Sequence, residues 1–367
     1  MKVSLVHRAV LALLGLVTLA ALYIIVTSGI QAAGILVISF FVIAALACNT
    51  STTGKPYAYT VLILATAAAA LYYPQYFISY GGFKYSALVI PLIQVIMFCM
   101  GTSMSVQDFL NVIKAPKGVL IGVVSHFAIM PLLGFSIAML GSHVLGLPPE
   151  VAAGIILIGC SPNGMASNVM SFLAKANLAL SVTITAVSTL LAPLVTPLLM
   201  GLLAGAFVKV NVVQMMFDIL KMVILPIGIG LLINTYFGRL KDMLRAIMPT
   251  LSMIGIMGII VIITAAGRDS LLKVGPLLLI LVLLHNVTGY LLGYWSGRLF
   301  KMEERDCRTM AIEVGMQNGG LASGLAKEMG KIATLGLAPI IFSTFMNVTG
   351  SLLATFWHKN EPRKKAK

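Results

Sequence analysis

Long apolar segments, separated by short polar connections, run along almost the whole chain. A helix needs about 20 apolar residues to cross the hydrocarbon core of a bilayer, and the pattern predicts twelve such spans. Their approximate limits are 9–27, 33–48, 57–73, 86–104, 118–141, 150–173, 178–204, 212–234, 247–266, 276–297, 308–327 and 332–357. The pattern therefore predicts an all-α polytopic membrane protein.

The first apolar run could also be a secretory signal. It extends over 19 residues, from Ala9 to Thr27, whereas the apolar region of a signal peptide has about 7–15 residues. We therefore predict a retained first span.

Ten of the spans form two blocks of five, which suggests an internal repeat. Because five is an odd number, the second block must enter the membrane in the opposite orientation to the first. The predicted organisation is an extra N-terminal helical hairpin, a first repeat, a second inverted repeat and a basic tail, at residues 1–50, 57–204, 212–357 and 358–367.

In each block the fourth span is interrupted by polar residues and glycines. The interruptions are "GCSPNGMASN" at 159–168 and "EVGMQNGG" at 313–320, and they place Asn168 and Asn318 150 residues apart. Inverted repeats with broken helices in matching positions are typical of secondary transporters. The sequence thus predicts two broken helices that cross near the middle of the membrane.

Composition and charge support a membrane protein. Only 10% of the residues are charged and the mean hydropathy is +1.01, whereas about 25% of the residues in a soluble domain are charged. The net charge of +14 does not indicate nucleic acid, because the basic residues lie mostly in short connections between spans. If both termini share one side, that side carries eighteen of the 25 Lys and Arg and the other side six, with Lys221 inside a span. This bias predicts cytoplasmic termini.

Nine of the eleven acidic residues lie in loops or near span ends, and the other two, Asp218 and Glu313, fall well inside predicted spans. Asp218 has Lys221 three residues further on, and we predict that the two side chains pair on one helix face. Glu313 has no basic residue within four positions. An unpaired carboxylate at this depth is costly and indicates a functional site, although a glutamate buried in its neutral form is the structural alternative.

Oxygen donors surround Glu313 in the sequence pattern. Glycines weaken the helix on both sides of each break, and a helix that unwinds frees backbone carbonyl groups. Ser181 and Thr185 share one helix face, while Ser167 and Asn168 lie in the first break. Hydrogen bonds to their own helix would also explain the hydroxyl groups. Together these oxygens suit a hard cation, and the N-termini of the half-helices suit an anion.

Four segments carry a family resemblance in their order along the chain. They are "GCSPNGMASNVMSFLAKANLALSVTITAVSTLLAPLVTPLL", "LLHNVTGYLLG", "EVGMQNGGLA" and "NVTGSLLATFW". Together they resemble the bile acid:sodium symporter family, especially its bacterial members. The similarity runs from about Pro56 to Trp357, so the first two spans lie outside the ten-helix core of the family.

The resemblance implies a fold of two domains and a transport function. A panel would contain residues 57–104 and 212–266, and a core domain 118–204 and 276–357. The core would move against the panel in alternating access, and the protein would take up an organic anion together with sodium. Candidate substrates are bile acids, pantoate-like hydroxy acids and 2-oxo acids. The expected location is the bacterial inner membrane, with no nucleic-acid or protein partner evident.

The resemblance also implies individual site residues and two sodium ions. The first sodium site would use Ser167, Asn168, Ser181, Thr185 and Glu313. The second would use His126, Glu313, Val314, Met316 and Gln317, with Val314 and Met316 contributing backbone carbonyls. Substrate would bind near Gly164, Met165, Asn168, Asn318 and Gly319.

Two positions depart from the family pattern. His126 stands where relatives usually carry glutamine, and a neutral imidazole is a poorer sodium ligand than an amide oxygen. We therefore expect a second sodium site that is weaker or partly linked to protons, unless His126 is a packed core residue. Met165 stands where relatives often carry threonine, which suggests a different or bulkier substrate. His285 and Asn286 match the family and are expected to brace the core by hydrogen bonds.

Other classes of function fit the sequence less well. A proton-coupled anion transporter, or a cation/proton antiporter of the same architecture, remains the alternative. A membrane-bound enzyme is not expected, because no Ser/His/Asp order, HExxH helix or phosphate loop is present. Cys48, Cys99, Cys160 and Cys307 show no metal-binding spacing.

Overall fold

The computed structural model describes residues 5–51, 54–108, 110 and 116–360, and this part of the chain is almost entirely helical. The helices are α1 (Leu5–Ser28), α2 (Gly34–Asn49), α3 (Ala58–Tyr72), α4 (Gln75–Ile78), α5 (Val89–Ser103), α6 (Pro116–His143), α7 (Pro149–Cys160), α8 (Ala166–Leu173), α9 (Leu178–Ala204), α10 (Val212–Ile219), α11 (Leu225–Tyr236), α12 (Gly238–Ala266), α13 (Arg268–Leu299), α14 (Glu304–Gly315), α15 (Gly319–Glu328) and α16 (Leu337–Lys359). Two short antiparallel strands, β1 (Ser79–Tyr80) and β2 (Phe83–Lys84), join α4 to the segment before α5.

The helices confirm the predicted all-α polytopic membrane class. Nine helical segments in the described ranges are long and apolar enough to cross a membrane. The three remaining predicted spans are also helical, although α3 has only 15 residues and the other two are interrupted. A single helix that is short or interrupted does not by itself reach across the hydrocarbon core.

Both predicted breaks are present. The first separates α7 from α8 between Cys160 and Ala166, and the second separates α14 from α15 between Gly315 and Gly319. Asn318 caps α15, because its Oδ1 accepts a hydrogen bond from the backbone N–H of Leu321 at 3.0 Å.

The two breaks lie in direct contact. The backbone N–H of Asn318 donates to the carbonyl oxygen of Pro162 at 2.7 Å. Each break therefore satisfies part of the polar backbone that the other exposes, which is the condition under which irregular backbone is tolerated at membrane depth.

The long helices pack in two groups. In one group α5 packs against α11 and α12, and α12 also packs against α3. In the other group α13 packs against α14 and α6, α6 against α7, and α7 against α16. These groups contain the helices assigned to the panel and to the core domain, and the inverted relation between the two repeats stays a prediction.

The N-terminal hairpin lies at one edge of the protein. Helix α2 packs on α1 and on α3, and most side chains of α1 are exposed or half-buried. Several residues of the charge analysis, including Lys2, Lys114 and the tail 361–367, lie outside the described residues.

The predicted pair between Asp218 and Lys221 is wrong. Asp218 accepts a hydrogen bond from the side chain of Gln214 at 2.8 Å, and no salt bridge within the described ranges joins it to Lys221. The reason is local geometry, because Leu220–Ile224 form a π-helical turn. A π-turn has i→i+5 hydrogen bonds, so a spacing of three residues no longer places two side chains on one face.

Candidate functional site

The carboxylate of Glu313 is at the centre of the site. Glu313 lies near the end of α14 and is fully buried. Its Oε1 accepts a hydrogen bond from Ser181 at 2.5 Å, and its Oε2 accepts one from Thr185 at 2.9 Å. Ser181 and Thr185 lie one turn apart on α9, so a single helix face serves both carboxylate oxygens.

Residues of the first break complete this group. The Oδ1 of Asn168 accepts from the hydroxyls of Ser181 at 2.9 Å and Thr185 at 3.3 Å. The hydroxyl oxygens of Ser167 and Thr185 are 3.3 Å apart. The structure thus brings together all five residues predicted for the first sodium site, which come from α8, α9 and α14.

This group of five residues, hereafter the Glu313 cluster, contains more acceptors than donors. Ser181 and Thr185 have one hydroxyl hydrogen each, yet each hydroxyl faces both Asn168 and Glu313. No Lys, Arg or His within the described ranges forms an ion pair with the Glu313 carboxylate. The cluster therefore has oxygen atoms with free lone pairs and one carboxylate whose charge is not balanced. Such oxygens are the ligands that a hard monovalent cation prefers.

His126, which was predicted for the second sodium site, lies between the two breaks. Its side chain is fully buried on α6. Its Nδ1 lies 3.1 Å from the carbonyl oxygen of Glu313, and its Nε2 lies 2.9 Å from that of Ser161. The imidazole therefore contacts both broken helices, and in its neutral form it can donate a hydrogen bond to only one of the two carbonyls.

The other predicted residues of this second site surround the end of α14. Val314, Met316 and Gln317 are fully buried. The Nε2 of Gln317 donates to the carbonyl oxygen of Val314 at 2.9 Å, and its Oε1 has no hydrogen-bond partner among the described residues. A buried acceptor without a partner calls for an explanation such as a bound ion or water.

Asn163 is a site residue that our sequence analysis missed. It lies in the first break, is fully buried, and donates from Nδ2 to the carbonyl oxygen of Glu313. Its Oδ1 has no hydrogen-bond partner among the described residues. An amide side chain beside Pro162 and Gly164, inside a break, was the signal that could have identified it.

Beside the crossing point is a cavity of about 170 Å³. Four of the residues predicted to contact substrate line it, namely Gly164, Met165, Asn318 and Gly319. The fifth, Asn168, is not among the lining residues, because its side chain is directed to the Glu313 cluster.

The remaining wall of this cavity is mostly apolar. Helices α5 and α12 contribute Met97, Met100 and Ile256, and α16 contributes the polar residues Ser343 and Asn347. No charged side chain is among the lining residues within the described part of the chain.

The prediction that His285 and Asn286 brace the core is confirmed. Asn286 donates to the carbonyl oxygen of Gly315 at 2.8 Å and accepts from the hydroxyl of Thr349 at 2.5 Å. The Nε2 of His285 lies 3.0 Å from the carbonyl oxygen of Met130. The Asn286 contacts hold the end of α14, and therefore the second break, against α13 and α16. The His285 contact holds α13 against α6.

Comparison with known proteins places the chain in a family. The model of the sodium bile acid symporter family matches residues 90–274. An uncharacterized sodium-dependent transporter of Bacillus subtilis is 43% identical over 284 residues, which cover 77% of this chain and 86% of that protein. The chain belongs to the sodium bile acid symporter family.

Plant members of this family are also similar to the chain. A protein of Arabidopsis thaliana, named a probable chloroplastic sodium/metabolite cotransporter, is 34% identical over 301 residues, or 80% of this chain and 73% of that protein. A rice protein with the same description is 34% identical over 264 residues, or 71% of this chain and 62% of that protein. All three relatives are named as transporters, and this family member is likewise a membrane transporter rather than an enzyme.

Proposed function

We propose that the protein is a sodium-coupled symporter that imports a small organic anion by alternating access. The observation that carries the proposal is the Glu313 carboxylate, which is buried among oxygens from three helices and has no cationic partner in the described part of the chain. A buried charge left unpaired is strongly destabilising, and a bound sodium ion would compensate it. The description of the Bacillus subtilis relative as sodium-dependent supports the same function.

Two sodium sites would share Glu313. In the first, the oxygens of Ser167, Asn168, Ser181 and Thr185 would join the carboxylate. The second would use Gln317 Oε1 together with the carbonyls of Glu313, Val314 and Met316, with His126 beside them. We add Asn163 to this second site, because its Oδ1 is a buried acceptor without a partner in the described ranges.

The cavity at the crossing point would hold the substrate. Because no cationic side chain of the described residues lines it, the anion would be held by the sodium ions and by backbone N–H groups at the N-termini of α8 and α15. Binding sites for drug-sized ligands have volumes of about 300–1,000 Å³. A cavity of about 170 Å³ therefore favours a pantoate-like or 2-oxo acid over a bile acid, which would need a larger space.

Movement of the core domain against the panel would expose this cavity to each side in turn. We further propose a bacterial inner membrane location with both termini cytoplasmic, on the basis of the charge bias between the two sides. The ten-helix core of two inverted repeats, with an extra N-terminal hairpin, is part of the same proposal.

The test is uptake by purified protein in proteoliposomes. Labelled pyruvate, pantoate and taurocholate are each supplied with an inward sodium gradient, with the same gradient of choline, or with a pH gradient alone. We expect sodium-dependent uptake of one of the small acids. Uptake that follows the pH gradient and ignores sodium would refute sodium coupling and support the proton-coupled alternative.

Replacement of His126 by glutamine should strengthen the coupling to sodium. His126 contacts the Glu313 carbonyl that the second sodium would use, and glutamine supplies an amide oxygen in its place. We expect the Hill coefficient for sodium to rise toward about 2, its limit for two sites, and the pH dependence of uptake to fall. His143→Gln is the matched control, because His143 lies on the same helix and is exposed. An unchanged Hill coefficient and pH profile in His126→Gln would contradict the prediction.

A further inference from the structure

Helices α9 and α14 run side by side in the same direction, and two contacts fix their register. Asn177 contacts Thr309 through backbone and hydroxyl groups, and four residues further along each helix Ser181 contacts Glu313. Four residues are about one turn of an α-helix. The contact between Asn177 and Thr309 therefore lies one turn from the contact that defines the Glu313 cluster.

The hydroxyl of Thr309 can form two hydrogen bonds with the backbone of Asn177. It accepts a hydrogen bond from the backbone N–H of Asn177 at 2.9 Å and lies 3.1 Å from the carbonyl oxygen of Asn177, to which it can donate. The carbonyl of Arg305, at 3.2 Å, is a second acceptor for the same hydrogen. Thr309 is fully buried, so water does not compete for these bonds.

Asn177 links Thr309 to the first turn of α9. Its Oδ1 caps the helix by accepting from the backbone N–H of Leu180 at 3.2 Å, one residue before Ser181. Its Nδ2 donates to Asp306 on α14 at 2.8 Å. Asn177 therefore joins the beginning of α9 to the first turns of α14 through its backbone and its side chain.

The same part of α14 also holds the end of α8. Arg308 donates to the carbonyl oxygen of Ala174 at 3.4 Å, and Arg305 donates to those of Lys175 and Ala176 at 3.2 and 3.3 Å. Lys175 adopts a left-handed conformation with φ of 53°, which is unfavourable for a residue with a side chain and is held by these contacts. The three helices that supply the Glu313 cluster thus meet at residues 174–177.

We propose that Thr309 is a positioning residue for the first sodium site and acts through Asn177. Its hydroxyl fixes the axial register of α14 against α9, so that the Glu313 carboxylate lies level with Ser181 and Thr185. Thr309 itself supplies no ligand to the cation. This inference rests on the proposed sodium-coupled function.

The test is Thr309→Val, which keeps the shape of the side chain and removes the hydroxyl. Loss of a residue that orients metal ligands typically weakens metal binding about 10–100-fold. Because sodium ligands are more flexible, we expect the lower end, a rise of about tenfold in the sodium concentration for half-maximal uptake. The half-saturating substrate concentration, measured at saturating sodium, should change by less than about twofold. Thr309→Ser retains the hydroxyl and should restore wild-type behaviour.

A matched control separates register from general destabilisation. The hydroxyl of Thr183, on α9, bonds to the carbonyl of Ala179 in its own helix at 2.8 Å, so Thr183→Val should leave sodium affinity unchanged. If Thr309→Val does not fold, Thr309→Ala is measured instead. The measurement is then the melting temperature in sodium compared with the melting temperature in the same concentration of potassium. An unchanged sodium affinity in Thr309→Val or Thr309→Ala, or equal losses for sodium and substrate, would overturn the inference. Absence of sodium dependence in the wild-type protein would instead refute the proposed function.

Discussion

Replacement of Glu313 by glutamine is expected to reduce sodium-driven uptake at least about a hundredfold. Glutamine keeps the size and shape of the side chain but removes the negative charge that would face the cation. Removing one member of a buried ion pair costs about 3–5 kcal/mol, and each 1.4 kcal/mol corresponds to about a tenfold change in binding. The new amide would also direct N–H groups at Ser181 or Thr185, which now donate to the carboxylate.

The measurement is initial uptake in proteoliposomes over a range of sodium concentrations. Glu150→Gln is the matched control, because it removes a carboxylate that pairs with Lys331 and whose side chain is 38% exposed. Ion pairs at such exposed positions contribute about 0–1 kcal/mol, so uptake by this variant should stay close to that of the wild type. If Glu313→Gln retained the sodium dependence of the wild type, the cation site would have to lie elsewhere.

Replacement of Gly101 by alanine should lower the thermal stability more than most single substitutions. Gly101 on α5 lies against the backbone of α11, and a Cβ there would overlap the carbonyl oxygen of Ile227. From the other side, a Cβ on Gly230 would lie 2.5 Å from the carbonyl oxygen of Phe98. The helices touch through their backbones, as small residues allow in membranes, so neither side can yield by rotating a side chain.

Overpacking of a close contact lowers the free energy of unfolding by about 1–3 kcal/mol. Because backbone atoms cannot move aside, the cost here should lie at the upper end of that range. For a large domain this corresponds to a decrease of about 5–10 °C in melting temperature, measured on detergent-solubilised protein. Gly228→Ala is the control on α11, because a Cβ at that position meets nothing within 4 Å. Equal melting temperatures for Gly101→Ala and Gly228→Ala would show that the two helices can separate without cost.

The apolar helices and the two breaks could be predicted from the sequence because the bilayer constrains each segment locally. A span must be long and apolar, and polar residues or glycines within it must be satisfied by other parts of the protein. The same constraint identified Glu313, since a carboxylate inside an apolar segment is conspicuous in any arrangement of helices. The family-based assignments also predicted that Ser181, Thr185 and Asn168 lie together, and their side chains are in contact.

Side-chain directions and helix registers could not be read from the sequence. The spacing of Asp218 and Lys221 predicts a pair only in an α-helix, and Lys221 lies in a π-turn. Asn163 contacts Glu313 across 150 positions of sequence, and nothing near Thr309 indicates its contact with Asn177. Local chemistry along the chain determined the spans, the breaks and the buried carboxylate. Only tertiary packing decided which oxygens face Glu313 and which residues fix the register of the helices that carry them, because these contacts join helices that are far apart in the sequence.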